Sequence, residues 1–383
     1  MVDASDTIPV VDAATLAPLV RRALGSDAHL DGTWCTSPLR GGFGGQGLYR
    51  VDGQARVDDG TVPWSVVLKI TPPPRPHDDP AAWGAPQREV CAYGSRFLAG
   101  LTGPLVAPRC LGLTEGPDGT TWLWLEAITD EHPGPWDLNR YVLAARHFGH
   151  FNGTCLVADS LPDETWFSHG WLRQYVAAEG AAAAQLTVAD DAHALLRQCF
   201  PPAVVAWVRG LWAEREVFLT ALDRLPQTVC HHDAFRRNLF ARRGADGTEQ
   251  TVAVDWAFTG IGAVGAELAP LVIGSLLLFE VVDAPPRDLA ETAMTGYLVG
   301  LREVGWGGDE GLVRLGFLAT AALLYTVCIA GFMVALLGDP SRYPAFERSL
   351  GRPMAEAVAG WVELRPFQVE LVEEARRLLS FTL

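Results

Sequence analysis

A glycine motif near the N-terminus constrains the fold of this chain more than any other feature, because Gly42, Gly44 and Gly47 match the spacing G-x-G-x-x-G. The segment that follows is typical of a β-hairpin, with turn signals at Asp52-Gly53 and Asp59-Gly60. A dinucleotide-binding fold needs such glycines to open a helix within a βαβ unit, and this segment leaves no room for a helix. The pattern therefore predicts a glycine loop between two antiparallel strands.

The basic residues are almost uniform, because Lys69 is the single lysine among 30 Lys and Arg residues. It lies in the strand-like run 66–70, and Glu89 lies in the next segment, which has helical spacing. In kinase-type sites a glycine loop covers the phosphates, a lysine on a following strand contacts them, and a glutamate from the next helix holds that lysine. The order predicts a phosphate clamp of Lys69 and Glu89; a lysine there by accident is the alternative.

A second constellation lies in the C-terminal two-thirds of the chain, where residues 231–238 match H-x-D-x-x-x-x-N. Asparagine occurs only three times in the chain, so a chance match is improbable. Asp233 is placed to accept a proton from a hydroxyl group, and the Asn238 amide offers an oxygen to Mg²⁺. Asp255 ends the strand-like run 252–255 with a carboxylate that suits a metal bridging two phosphates. Together these features predict phosphoryl transfer.

On these motifs the chain resembles the aminoglycoside phosphotransferase and choline kinase-like superfamily of small-molecule kinases. The resemblance runs in order through GGFGGQGLYRV, VVLK, REVCAYGSRFL, WLWLEAI, LAARHFGHFNG, HHDAFRRN and VDWAFTGIGAVGAEL. It implies an α+β, bilobal protein-kinase-like fold, with a β-rich N-terminal lobe over residues 1–126 and a mainly helical C-terminal lobe over residues 127–383. No A-P-E segment follows Asp255, which disfavours a protein kinase of the eukaryotic type.

The same resemblance implies ATP and Mg²⁺ as cofactors and roles for individual residues. Asp233 would be the catalytic base, and Asn238 and Asp255 would be the Mg²⁺ ligands. His231 would organise the catalytic loop. The residues implied for ATP binding are Gly42, Phe43, Gly44, Gly45, Lys69, Glu89, Glu126 and Ile128. The chain departs from the superfamily's usual residues at His232, Ala257, Glu267 and Asn152.

Composition argues against several classes of protein. A formal net charge of −15 disfavours a nucleic-acid partner, because phosphate-binding surfaces are normally basic. The seven cysteines form no C-x-x-C pair and no zinc-binding spacing, so we expect reduced, mostly buried thiols. The N-terminus has neither a basic n-region nor a continuous apolar h-region, so we expect a cytoplasmic protein.

One segment raises the question of a membrane. Residues 315–337 carry no charge over 23 positions, which is long enough to cross a bilayer. The segment is rich in Ala, Gly, Thr and Cys and lacks aromatic belts at its ends. A buried helix is therefore favoured over a membrane span, and we expect no membrane partner.

The charge pattern favours one class of small-molecule substrate. Residues 127–191 contain nine acidic and three basic side chains, which favours a cationic acceptor such as an amino sugar or an amino alcohol. A generally acidic, solvated surface is the alternative. The side chains of Trp166, Phe167 and Trp171 could face a sugar ring, a macrolide or the core.

Other catalytic motifs are missing from the sequence, which contains no H-E-x-x-H, G-x-S-x-G or Walker A pattern. His147 and His150 lie three residues apart on a predicted helix but lack a third metal ligand, so they are predicted to lie on the surface. A catalytically weak nucleotide-binding pseudokinase is the alternative function, and the sequence does not specify the oligomeric state.

Overall fold

The computed structural model of the chain describes residues 8–39, 47–75, 77–95, 97–158 and 160–382. The strands are β1 (His29–Pro38), β2 (Leu48–Val57), β3 (Gly60–Thr71), β4 (Leu105–Val106), β5 (Cys110–Glu115), β6 (Thr121–Glu126), β7 (Gln227–Cys230), β8 (Leu239–Arg243), β9 (Glu249–Ala253) and β10 (Gly260–Ala263).

The α-helices are α1 (Ala13–Leu24), α2 (Arg88–Gly94), α3 (Leu138–Ala158), α4 (Trp171–Glu179), α5 (Ala181–Ala184), α6 (Ala194–Cys199), α7 (Pro202–Arg224), α8 (Ser275–Leu277), α9 (Pro286–Glu303), α10 (Glu310–Ala322), α11 (Ile329–Leu337), α12 (Tyr343–Leu350) and α13 (Met354–Thr382). Single 3₁₀ turns lie at Leu98–Gly100, Pro117–Gly119, Arg236–Asn238, Trp256–Phe258 and Pro340–Arg342. Two π-helical stretches lie at Ala269–Gly274 and Leu323–Cys328.

Five strands form an antiparallel sheet in the order β1-β2-β3-β6-β5. The β2–β3 hairpin turns immediately before Gly60, where Asp59-Gly60 predicts it. The other predicted turn, Asp52-Gly53, is wrong, because Gly53 lies inside β2 and pairs with Trp64 of β3. A Cβ atom at Gly53 would lie 2.5 Å from the Trp64 ring, so this glycine makes room for an aromatic side chain.

Helix α1 covers one face of this sheet and was not predicted from the sequence. Its N-terminus is capped by Asp12, whose carboxylate accepts a hydrogen bond from the Thr15 N–H at 2.8 Å. Its buried side chains Leu16, Leu19 and Val20 share one apolar core with the inner face of the sheet. The β-rich part of the chain therefore has a hydrophobic core of its own.

The rest of the chain is mainly helical and carries two small sheets. Strands β7 and β10 pair antiparallel, whereas β9 pairs antiparallel with β8 and parallel with β4. Helices α3 and α9 approach each other so closely that a Cβ atom at Gly300 would lie 1.9 Å from the Arg146 carbonyl oxygen. The predicted α+β architecture, β-rich first and mainly helical afterwards, is confirmed.

Parts of the first 126 residues pack with the helical part of the chain. Strand β4 is hydrogen-bonded to β9, and Tyr93, Leu98 and Leu105 belong to the large core that the C-terminal helices build. Contacts thus cross the predicted boundary between residues 126 and 127, and the division into two lobes at that point stays a prediction.

The helical segment Glu310–Leu337 is, within the described ranges, the one helix long and apolar enough to cross a membrane. In the folded chain, 67% of its most apolar window is buried. Leu318 and Val327 are completely buried, and the segment packs against α7 and α13. The segment 315–337, predicted to be a buried helix, contributes to the core.

Candidate active site

Strand β3 carries Lys69 on the face of the sheet that looks toward the helical part of the chain. The alternate residues Trp64, Val66 and Leu68 are buried in the core that α1 covers, so Val67 and Lys69 point to the opposite face. Val67 packs against the core of the helical part. Lys69 therefore projects into the cleft between the two parts.

The Lys69 ammonium group contacts two carboxylates. Its Nζ pairs with Glu89 Oε2 on α2 and with Asp255 Oδ1, the latter at 2.7 Å. The other oxygen of Glu89 accepts a hydrogen bond from the Trp256 N–H at 3.2 Å. Burial disfavours the charged form of Lys69, but the charges of Glu89 and Asp255 outweigh it and raise the pKa of Lys69 above its usual value. These contacts link the sheet, α2 and the residues after β9.

The loop between β7 and β8 carries the H-x-D-x-x-x-x-N motif, and His231 ties it to β9. His231 Nδ1 accepts a hydrogen bond from the Asp233 N–H at 3.2 Å, and Nε2 lies 2.9 Å from the Val254 carbonyl oxygen. These partners require a neutral ring with its proton on Nε2. Burial lowers the pKa of His231 to about 4, so the ring stays neutral and its contacts hold the loop in shape.

Asp233 and Asn238 lie side by side in this loop. The Asn238 amide nitrogen donates to Asp233 Oδ2 at 2.8 Å and to the Asp233 carbonyl oxygen at 3.0 Å. Because the amide nitrogen is used in this way, the amide oxygen points elsewhere. Burial, and then the negative charge of Asp255, raise the pKa of Asp233 well above its usual value. A carboxylate with a raised pKa is a better proton acceptor.

Asp255 follows β9 with a left-handed backbone, at φ 63° and ψ 63°, which non-glycine residues rarely adopt. The preceding N–H, that of Val254, donates to the Asn238 carbonyl oxygen at 2.9 Å and ties the end of β9 to the catalytic loop. The unusual backbone aims the carboxylate at Lys69 and leaves 39% of the side chain exposed. Asp255 thus lies between Lys69 and the loop that carries Asp233 and Asn238.

His232 departs from the superfamily pattern, and its surroundings show how the fold accepts a large side chain there. Its backbone is left-handed, with φ 65°, a conformation that glycine adopts without strain. The buried ring stacks on Trp171, with centroids 4.4 Å apart and planes 10° apart. The His232 N–H donates to Glu267 Oε1 at 2.9 Å, so a second departure from the pattern, Glu267, supports the catalytic loop.

Two buried arginines beside the motifs were missed in the sequence. Arg88, next to Glu89, donates to the Ala257 carbonyl oxygen at 3.1 Å. Arg236, inside the H-x-D-x-x-x-x-N motif, forms a buried ion pair with Asp130 at 2.7 Å. Their proximity to predicted site residues was the available signal, but a sequence with 29 arginines does not tell which of them are buried.

The residues predicted to bind ATP fall into three groups. Gly42, Phe43, Gly44 and Gly45 lie outside the described residues. Lys69 and Glu89 meet each other in the cleft. Glu126 ends β6, where its carboxylate accepts a hydrogen bond from the Arg109 N–H at 3.1 Å, and Ile128 lies just beyond the strand. The roles of all these residues in ATP binding stay predictions.

The predicted surface position of two histidines is wrong. His147 is buried in α3, with Nδ1 2.8 Å from Thr251 Oγ1, and His150 is partly buried on the same helix. Helix α3 lies between β4, β9 and α9, so nearly every side of it meets another element.

Asn152 occupies a structural position at the point where three elements meet. It is buried, its amide nitrogen donates to the Val229 carbonyl oxygen at 2.6 Å, and its amide oxygen accepts from the Tyr297 hydroxyl at 2.7 Å. This departure from the pattern therefore connects α3 to β7 and α9.

Among the alternatives for the aromatic residues Trp166, Phe167 and Trp171, the structure favours the core, because all three are at least nine-tenths buried. Trp166 and Phe167 stack on each other with centroids 4.0 Å apart.

A family model of the "Phosphotransferase enzyme family" matches residues 37–306, well over half of the chain. No curated protein sequence matches the chain significantly. The fold is similar to that of "amicoumacin kinase hAmiN in complex with AMP-PNP, Ca2+ and Ami" (13% identity, TM-score 0.52, covering 86% of this chain and 88% of that chain). It is also similar to "aminoglycoside phosphotransferase from Alicyclobacillus acidocaldarius subsp. acidocaldarius DSM 446" (13% identity, TM-score 0.52, covering 99% of each chain).

The comparisons and the fold agree with the motifs read from the sequence, so the predicted family and the protein-kinase-like fold are confirmed. The chain belongs to the phosphotransferase enzyme family and is a small-molecule kinase that phosphorylates hydroxyl groups.

Proposed function

We propose that this kinase transfers the γ-phosphoryl group of ATP to a hydroxyl group of a cationic small molecule, an amino sugar or an amino alcohol. The observation that carries the proposal is that the Lys69–Glu89–Asp255 ion cluster lies next to the Asp233–Asn238 pair. The charges of Asp255 and Lys69 act on the Asp233 carboxyl group, and the Val254 N–H, next to Asp255, donates to the Asn238 carbonyl oxygen. The ion cluster supplies a positive charge for the phosphates and one metal ligand, Asp255. The Asp233–Asn238 pair supplies a base for the hydroxyl group and a second metal ligand, Asn238.

Lys69 is suited to bind ATP phosphates because its ammonium group is held in place before a ligand arrives. Two carboxylates fix it, and it is the only lysine of the chain. An ammonium group is a compact charge that donates in three directions and adapts to phosphate oxygens, unlike a planar guanidinium. The AMP-PNP bound to amicoumacin kinase supports a nucleoside triphosphate as the donor.

Asn238 and Asp255 fit Mg²⁺ as ligands. Mg²⁺ prefers oxygen ligands, and Asn238 uses its amide nitrogen on Asp233, so its oxygen is the atom left for a metal. The Asp255 carboxylate is partly exposed and contacts Lys69 through one oxygen. When bound, Mg²⁺ neutralises charge on the phosphates. The Ca²⁺ in the amicoumacin kinase complex supports a divalent cation at such a site.

Asp233 is the base in this proposal. Its backbone is held by His231 and its carboxylate by Asn238, so both ends of the residue are fixed. The carboxylate accepts the proton of the acceptor hydroxyl as the oxygen attacks the γ-phosphorus, and ADP leaves. Positioning the hydroxyl next to a fixed carboxylate accounts for part of the rate through orientation alone.

The proposal of a cationic phosphoryl acceptor is based on the negative charge near Asp233. Several acidic residues of 127–191 are used inside the protein, because Asp130 pairs with Arg236 and Asp137 caps α3 through the Arg140 N–H. Glu179 on α4 is exposed. Burial raises the pKa of the Tyr175 hydroxyl most, and the negative charges of Cys328, Glu179 and Asp233 raise it further. The two carboxylates support an acidic environment that attracts cations.

An ATP-consumption screen tests the proposal. Purified protein is incubated with ATP and Mg²⁺ and with amino sugars, aminoglycosides, choline-like alcohols or neutral sugars, and products are identified by mass spectrometry. We expect a mass increase of one phosphoryl group on a cationic alcohol. A protein whose melting temperature rises with ATP and Mg²⁺, but which phosphorylates nothing across the panel, would be the nucleotide-binding pseudokinase instead.

We further propose that the enzyme works in the cytoplasm without a membrane partner. The burial of most of the apolar window in Glu310–Leu337 supports this. Purification without detergent tests it, and a protein that stays with the membrane fraction would contradict it.

A further inference from the structure

Three side chains with metal-binding atoms meet behind the catalytic loop. They are Cys230 at the end of β7, His232 in the loop and Glu267 before the first π-helical stretch, and one ligand atom from each lies within 4.8 Å of the other two. All three are buried, with exposures of 0%, 5% and 1%. Within the described part of the chain, this is the one group of three or more such residues that meets so closely.

In the described residues, His232 Nε2 and Glu267 Oε2 are buried without a well-aligned hydrogen bond. The Cys230 thiol interacts with the Glu267 carboxyl group, and the Ile261 backbone interacts with the His232 ring. The other Glu267 oxygen, in contrast, accepts the His232 N–H at 2.9 Å. A buried polar atom without a partner costs free energy and is rare in folded proteins. Two poorly satisfied atoms in one cluster support a group bound between them.

Charge points to a cation as that group. Among the described residues, the buried Glu267 side chain makes no ion pair with a lysine, arginine or histidine, and its one well-aligned hydrogen bond is from the His232 N–H. A buried carboxylate needs a cation close to it. A divalent ion bound by one carboxylate, one thiolate and one neutral imidazole forms a group with no net charge, which is the least costly form to bury.

The walls of the cluster pack closely around the imidazole and hold it in place. Trp171 stacks on the His232 ring and fixes its plane. On β10, a Cβ atom at Gly262 would lie 2.6 Å from His232 Cε1 and 3.1 Å from Cys230 Sγ. Only glycine fits at that position, so the strand presents bare backbone to the two ligands.

We propose that Cys230, His232 and Glu267 bind one zinc ion through Sγ, Nε2 and Oε2. Thiolate, imidazole and carboxylate are the ligands that zinc takes in proteins, whereas Mg²⁺ prefers oxygen alone. A water molecule completes the tetrahedral shell, and binding releases the Cys230 thiol proton to solvent. Ligands about 2.0–2.3 Å from zinc are separated by about 3.3–3.8 Å, so the observed cluster closes around the ion by small side-chain rotations.

This zinc site is separate from the Mg²⁺ site proposed at Asn238 and Asp255, and its function is structural. Cys230 and His232 flank His231, whose Nδ1 accepts a hydrogen bond from the Asp233 N–H. An ion bound to Cys230 and His232 therefore fixes the start of the catalytic loop. The three ligands are distributed over residues 230–267, which explains why the cysteine spacing in the sequence does not reveal the site.

Metal analysis of the purified protein tests the proposal. The full chain is produced in zinc-supplemented medium, purified without chelators, and analysed by inductively coupled plasma mass spectrometry. We expect about one zinc ion per chain, and background levels in Cys230→Ser and in His232→Gly. Cys199→Ser is the matched control, because Cys199 is equally buried but lies outside the cluster; it should retain the zinc.

His232→Gly separates loss of zinc from loss of folding. Glycine accepts the left-handed backbone of residue 232, so we expect a folded protein that lacks the metal. A membrane-permeant zinc chelator should lower the melting temperature of the wild type and of Cys199→Ser but leave that of His232→Gly unchanged, because the ion binds the folded state only.

Cobalt identifies the ligands directly. After refolding with Co²⁺, the wild type should show tetrahedral d–d absorption and a thiolate-to-cobalt charge-transfer band, and Cys230→Ser should lose the charge-transfer band. Wild-type protein that contains no zinc after expression and no cobalt after refolding would overturn the proposal and leave a metal-free, hydrogen-bonded cluster. Zinc that persists in a Cys230→Ser/His232→Gly double variant would overturn it as well.

Discussion

Glu89 and Glu267 are both buried carboxylates close to the catalytic loop, but they differ in what balances their charge. Glu89 contacts Lys69 and accepts the Trp256 N–H, so its two oxygens both have partners. Glu267 accepts the His232 N–H through one oxygen, and in the described ranges its other oxygen makes no well-aligned hydrogen bond and no contact with a cation. The cluster around Lys69 thus contains its own cation, whereas the cluster around Glu267 has one only if the proposed zinc ion binds there.

Substitution of the proposed base, Asp233, has the largest expected effect. It should change turnover without changing the proposed zinc site. Asp233→Asn keeps the size of the side chain but removes the proton acceptor, so we expect kcat to fall by about 10²–10⁴-fold. ATP binding, measured by isothermal titration calorimetry, should stay nearly unchanged, and so should the zinc content. Retention of wild-type turnover would rule out Asp233 as the base.

Substitution of Lys69 tests whether the buried Glu89 carboxylate needs the lysine to balance its charge. Lys69→Met leaves Glu89 buried and unpaired, so we expect the free energy of unfolding to fall by about 3 kcal/mol. Phosphoryl transfer should also be lost, because the charge that contacts the phosphates is missing. Urea denaturation monitored by circular dichroism and an ADP-release assay measure the two effects.

A double substitution is the matched control for that experiment. Lys69→Met/Glu89→Leu removes both charges of the buried pair, and an apolar pair of similar volume costs much less than a lone buried charge. We expect much of the lost stability to return while activity stays absent. If the double variant were as unstable as Lys69→Met, the cost would come from lost packing and not from the unpaired Glu89.

The smallest expected effect concerns His147, a buried titratable group that belongs to neither cluster. Burial lowers the pKa of His147 to about 3, so below about pH 6.5 the unfolded chain binds a proton that the folded chain does not. Folded stability therefore falls as pH decreases from about 6.5 toward 3. His147→Gln should weaken this dependence by about 1 kcal/mol between pH 7 and pH 5.5.

Urea unfolding at a series of pH values measures this dependence, with His77→Gln as the control for loss of an exposed histidine. Equal pH dependence of His147→Gln and the wild type would contradict the burial of a neutral His147.

The positions of Lys69, Asp233 and Asn238 could be predicted because these residues lie in short, ordered motifs. Lys69 lies on a strand with alternating burial, and Asp233 and Asn238 lie five residues apart in one loop, so local pattern places them. The proposed zinc cluster could not be predicted, because its ligands meet only when β7 and β10 pair and Glu267 folds back against the loop. The Asp52-Gly53 turn failed for a similar reason, since the cross-strand neighbour Trp64 decides the role of Gly53.

The sequence by itself determined the order of the motifs and the change from a β-rich to a helical part, because these follow from periodicity and from residues a few positions apart. The family followed from the resemblance that those motifs carry. The Lys69–Glu89 pair was predicted from the order of the motifs, but the tertiary structure alone decided which other charges are paired, such as Asp255 with Lys69 and Arg236 with Asp130. Lys69, Glu89 and Asp255 come from three distant elements, and Arg88, Arg236 and His147 are buried by neighbours that are remote in the chain. Burial and charge pairing depend on every element that packs around a residue, and a linear sequence does not specify those neighbours.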